Sequence, residues 1–126
     1  MSISWGIEMK PVFVFGSNEA GRHGKGAALA ALKQHGAKWG QGKGLQGNSY
    51  AIPTKDYNIK TRPLADIYVD VREFIKFAEA NPDMWFFVTR IGCGLAGYQY
   101  HQIAPMFKGA PGNCIFQGDW DAYLKD

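Results

Sequence analysis

Cysteine is scarce in this chain, and that scarcity excludes a disulfide scaffold. Cys93 and Cys114 are the only two, whereas a stapled domain carries several pairs. Both suit small reduced thiols in apolar surroundings. Cys93 also falls inside a glycine loop, where flanking N–H groups can lower a thiol pKa, so a catalytic thiolate is the alternative there. Long apolar runs are missing too. None approaches the roughly 20 residues that span a bilayer, and no basic-then-apolar leader opens the chain; the expectation is a cytoplasmic protein with no membrane partner. Like charges do not cluster, which argues against a basic tail. His23, His35 and His101 lack metal-ligand spacing, so neither a metal nor a cofactor is expected. No Ser-His-Asp order is suggested.

What remains is a chain of 126 residues, 46% apolar and 14% aromatic. That length and composition suit one folded domain over residues 1–126 with a genuine core. Fourteen Lys and Arg against eleven Asp and Glu give a net charge of +3. The balance suits an anionic ligand and is too small to demand nucleic acid.

Glycine is abundant, and its placement is the main signal. One glycine-rich loop, 16–26, follows the apolar run Val12-Phe13-Val14-Phe15; a second, 92–98, follows residues 85–91. Without a Cβ, such loops bring backbone N–H groups close to a ligand, and successive N–H groups form an anion-binding concavity. Two loops at the carboxyl ends of neighbouring strands line one crevice. They suit a ligand with two phosphates, or with a phosphate and a sugar. A P-loop is rejected, because Lys25 is followed by Gly26 and Ala27 rather than a hydroxyl. The Rossmann spacing fails as well.

The remaining pattern alternates strands and helices. Ile3, Trp5 and Ile7 suggest an edge strand over 2–9, and 12–15 a strand buried on both faces. Residues 26–35 read as a helix stopped by Gly36, and 39–47, with four glycines, as a flexible connection. A strand over 48–53 ends at Pro53. Leu64, Ile67, Val71, Phe74, Ile75 and Ala78 give one apolar helix face, ended by Asn81-Pro82. A strand over 84–91, a short helix over 100–108, a strand over 113–117 and a turn over 119–125 complete the chain. The alternation implies helices on both sides of a mostly parallel sheet.

Lys55 follows Ile52-Pro53-Thr54 at the end of the third of these strands, where site residues gather in α/β sheets. It is either a solvated surface charge or, once deprotonated beside a cation such as Arg90 or by desolvation, a nucleophile toward a sugar anomeric carbon. Lys25 can partner a phosphate, and His23 can touch a ligand. Trp39, Tyr50, Tyr98 and Tyr100 either pack or stack on a base.

Three segments resemble the macrodomain superfamily, in the branch that holds the terminal ADP-ribose protein glycohydrolase and the DNA ADP-ribosyl glycohydrolase antitoxins. They are Gly24-Lys25-Gly26-Ala27-Ala28-Leu29, Ile52-Pro53-Thr54-Lys55 and Arg90-Ile91-Gly92-Cys93-Gly94-Leu95-Ala96-Gly97. The resemblance covers residues 12–108. It implies an α/β fold, a three-layer α/β/α sandwich around a mixed, mostly parallel sheet, with ADP-ribose or an ADP-ribosylated protein or nucleic acid as partner. Lys55 would be catalytic. Ser17, Asn18, Gly24, Lys25, Gly26, Thr54, Ile91, Gly92, Cys93, Gly94, Leu95, Ala96, Gly97 and Tyr98 would bind the ligand.

Two positions depart from that branch. Ala96 stands where part of it carries an acidic residue for proton transfer, leaving water or Glu19 to assist. The acidic residue that reads adenine has only Glu8 as a substitute. The competing functions are a non-catalytic binder of ADP-ribose or a related nucleotide, and a small nucleic-acid-binding module with steep salt dependence.

Overall fold

In a computed structural model, the structure describes residues 10–120 and Leu124. The expected edge strand over 2–9, Glu8, and the expected turn beyond Trp120 (Leu124 apart) lie outside the described residues. The element order is β1 (Val12–Asn18), α1 (Gly26–Gln34), β2 (Gly44–Gln46), β3 (Ser49–Lys55), α2 (Leu64–Ala80), β4 (Phe86–Val88), α3 (Tyr100–Ile103), a 3-10 turn (Ala104–Phe107), β5 (Cys114–Phe116) and a second 3-10 turn (Gly118–Trp120). The chain is thus mixed α/β.

The five strands form one sheet in the order β2-β3-β1-β4-β5. Only β2 runs antiparallel, pairing with β3; the other three pairings are parallel. The carboxyl ends of β3, β1 and β4 therefore lie side by side. From β1 the chain crosses toward β3, and from β4 toward β5. Loops leaving two adjacent strands in opposite directions open a crevice between them, and these are the two glycine loops.

Successive strand residues face opposite sides of a sheet, and the core divides accordingly. Phe15 and Ala51 pack with Ala28 and Ala31 of α1. Val12 and Val14 belong to a larger cluster with Ile67, Val71, Phe74 and Ile75 of α2. Truncating a ring such as Phe74 in that cluster costs about 3–5 kcal/mol.

Four local expectations need correction. Pro53 does not end β3, which runs on to Lys55. Proline is tolerated there because β2 pairs only as far as Ala51 and because the register with β1 shifts just beyond Pro53. Residues 39–47 are not a flexible connection: they contain β2, and a Cβ on Gly42 would run into the Asn18 carbonyl. The strand expected over 84–91 is limited to β4 (Phe86–Val88); Thr89 N–H makes a last bond to Val14 O of β1 at 3.1 Å, and Arg90 N–H turns to the Gln117 side chain. The helix expected over 100–108 tightens to 3-10 geometry from Ala104, where Pro105 supplies no N–H for an α-helical ladder.

Candidate functional site

A cleft of about 520 Å³ opens at the carboxyl ends of β1, β3 and β4, within the size range of small-ligand sites. The first loop contributes Gly16, Ser17, Asn18, Arg22 and Gly24–Ala28. The end of β3 contributes Thr54 and Lys55, followed by Ile59, and the second loop contributes Thr89–Gly92 and Gly94–Ala96. Its floor is close-packed backbone. A Cβ on Gly16 would stand 3.5 Å from both Gly92 N and Thr54 Oγ1.

Sequence reasoning named fifteen residues, and the cleft brings most of them together. Cys93, Gly97 and Tyr98 do not line it. Tyr98 turns away, its hydroxyl donating to Arg62 O at 2.6 Å. Burial pushes the Cys93 thiol up to about 11, against the pull of nearby Arg90. It is half-buried and outside the cleft, which gives the catalytic-thiolate reading no support. Cys114 is pushed to about 12 by burial alone.

Asn18 lines the cleft, but its amide also closes the first loop, donating to Arg22 O and accepting from Arg22 N–H, each at 2.9 Å. His23 lies behind that loop, fully buried. Its ring meets Phe15 edge-on at 5.3 Å, and its Nε2 lies 3.0 Å from Gln41 O. Since Gln41 O can only accept, Nε2 carries the proton. Ser17 Oγ donates to Gly42 O. The segment mistaken for a connection is thus the rear support of the first loop. Its signal was the buried polar pair Gln46 and His23, 3.2 Å apart, which no local pattern reveals.

The lining has a distinct charge. Arg22, Lys25, Lys55 and Arg90 are among its lining residues and, among the described residues, no Asp or Glu is; none of the four joins an ion pair among the described residues. Glu19, the sequence candidate for replacing the acid at Ala96, lies instead in a second hollow of about 170 Å³ beside Arg62.

Backbone donors add to that field. The first hydrogen bond of α1 is Leu29 N–H to Lys25 O at 3.2 Å. The amides of Gly26, Ala27 and Ala28 therefore keep the unpaired N–H groups of a helix start, with Lys25 as an N-cap that supplies no side-chain bond. In the second loop the N–H groups of Gly92, Gly94, Leu95 and Ala96 donate to no group among the described residues. A helix N-terminus and free loop amides together favour an anion.

Arg90 is held in place. Its guanidinium lies 5.0 Å from the Tyr100 ring centroid and over Gly118, where a Cβ would collide with it. None of the aromatic residues considered for stacking lines the cleft: Trp39 is exposed, Tyr50 is in the core, Tyr98 bonds Arg62, and Tyr100 meets Trp120. No group of three or more His, Cys, Asp or Glu suited to a metal occurs among the described residues. No helix among them is long and apolar enough to cross a membrane.

No protein-family model, no curated protein and no solved structure matches the chain.

Proposed function

We propose that the cleft binds the diphosphate of ADP-ribose and that the protein hydrolyses ADP-ribosyl linkages on a protein or nucleic acid, with Lys55 as nucleophile. One observation carries the reading: unpaired amides of two glycine loops and four basic residues line one cleft that has no Asp or Glu in its lining among the described residues. Diphosphate suits both donor sets, since backbone N–H groups fix its oxygens while Arg and Lys balance its charge. The finer reading of the fold, a three-layer α/β/α sandwich of macrodomain type, belongs to the same proposal.

In the reaction the neutral amine of Lys55 attacks the anomeric carbon of the distal ribose. The carbon–nitrogen bond forms as the bond to the macromolecule breaks, and its electron pair leaves with the displaced group. The proton lost by the amine passes to that group through water, because Ala96 offers no carboxylate. Water then adds to the opened Schiff base, releasing ADP-ribose and the free amine.

Lys55→Ala is expected to abolish release of ADP-ribose from a modified protein or oligonucleotide while binding of ADP-ribose persists. Unchanged turnover in that variant would remove Lys55 from the reaction. A second reading, a non-catalytic binder of ADP-ribose, is favoured by the absence of any acid–base carboxylate in the lining among the described residues. It requires tight binding with no product after prolonged incubation.

A further inference from the structure

Arg62 lines no part of the large cleft, yet it touches the segments that do. Its backbone N–H donates to Thr54 O at 2.9 Å, and its Nη1 donates to Pro53 O at 2.6 Å. Both bonds end on the strand that delivers Lys55. Its Nε faces Glu19 Oε2 at 3.9 Å, and the Glu19 N–H donates to Lys55 O at 2.9 Å. On the other side the Arg62 carbonyl accepts the Tyr98 hydroxyl at 2.6 Å. The adjacent Thr61 Oγ1 donates to Ala96 O at 3.0 Å. First loop, strand end and second loop thus meet behind the cleft on one residue.

Asp70, on α2, aims that residue. Its Oδ2 accepts from Arg62 Nη1 at 2.7 Å, and the two side chains are only 8% and 13% exposed. Lys43 Nζ holds the other oxygen of Asp70 at 3.1 Å. Replacing a buried ion pair by apolar groups of similar volume is often neutral or stabilising. What the pair adds here is direction: the two hydrogens of Nη1, fixed in the guanidinium plane, bond Pro53 O and Asp70 together, whereas an ammonium on a flexible stem rotates freely.

We propose that Arg62, oriented by Asp70, is a positioning residue that sets the reach of Lys55 and the seat of the second glycine loop without touching the ligand. What the cleft holds rests on the functional reading above; the positioning itself is a property of the protein alone. A displacement of about 1 Å at a reacting group can cost a hundredfold in rate.

The test replaces the pair by apolar groups, Arg62→Met with Asp70→Leu, in the full chain. Amide hydrogen exchange is followed at Glu19, Gly97 and Tyr98, with Val14 and Phe15 as core references. The expected result is at least tenfold faster exchange at the three site amides with the references unchanged. If the wild type releases ADP-ribose, kcat should fall at least tenfold with KM held within about threefold. Should the double variant fail to fold, Arg62→Lys keeps the charge on a freely rotating ammonium without the fixed guanidinium plane and is expected to show the same selective acceleration. Unchanged exchange at the site amides, or equal acceleration at the references, overturns the proposal. A wild type that neither binds nor releases ADP-ribose defeats the functional reading, while the exchange pattern still decides the role of Arg62.

Discussion

Leu95 meets Gly26 across the mouth of the cleft: its Cδ1 stands 3.8 Å from the point a Cβ on Gly26 would occupy. The two glycine loops, far apart in sequence, close on each other there. Leu95 is 65% exposed, so it contributes little to the core and is free to cover a ligand. Leu95→Ala is expected to leave the thermal midpoint unchanged and to weaken ADP-ribose binding about fivefold, corresponding to roughly 1 kcal/mol of lost apolar contact. Calorimetric titration of the variant checks it. Unaltered affinity would mean that Leu95 covers nothing.

Gly92 and Gly16 lie on the cleft floor and should respond with opposite signs. Gly92 has φ +75°, and a Cβ there would press on Ile103 at 3.1 Å from Cδ1. Gly92→Ala is expected to cost about 2 kcal/mol in strain and overpacking, read from a urea melt. Gly16 lies within a strand, and its Cβ would find contacts of 3.5, 3.5 and 3.6 Å. Gly16→Ala should keep or raise stability by roughly 0.5–1 kcal/mol, yet its methyl would cover Gly92 N–H and weaken binding. Retained affinity in Gly16→Ala would show that this amide meets no ligand.

The sequence made part of this site legible and hid the rest, for physical reasons. Strand, glycine loop and helix follow one another locally from 12 to 34, and the apolar face of α2 repeats at helical spacing, so both were readable. The end of β3 was readable only up to Pro53, because proline's tolerance there depends on how far β2 pairs, a long-range fact. The support behind the first loop was invisible, since His23 and Gln46 are joined by tertiary packing rather than by any pattern. Arg62 carries no local signal that sets it apart from the other thirteen Lys and Arg; its contacts to Asp70, Pro53 and Tyr98 come from three elements that only the fold brings together. The shared position of Lys55 and the two loops followed from the parallel order of their strands.

The two thiols give a pH signature. Burial raises Cys93 from an ordinary 9.0 to about 11 and Cys114 to about 12. Unfolded thiols ionise first, so the stability tied to keeping them protonated is complete below about pH 9 and is lost as pH rises through 11 and 12. The thermal midpoint is expected to decline progressively above about pH 9. At pH 8, Cys93 should react with iodoacetamide roughly a hundredfold more slowly than a free thiol, following its smaller thiolate fraction. Alkylation of Cys93 as fast as glutathione would contradict its burial.

The most direct test of the central claim is a thermal-shift comparison of ADP-ribose, AMP, NAD and ribose 5-phosphate, each at millimolar concentration. A ligand of micromolar affinity stabilises by roughly 4 kcal/mol under those conditions. ADP-ribose should give the largest shift, and Gly16→Ala should reduce it. No shift with ADP-ribose, or equal shifts with all four compounds, would contradict a diphosphate site built from the two loops.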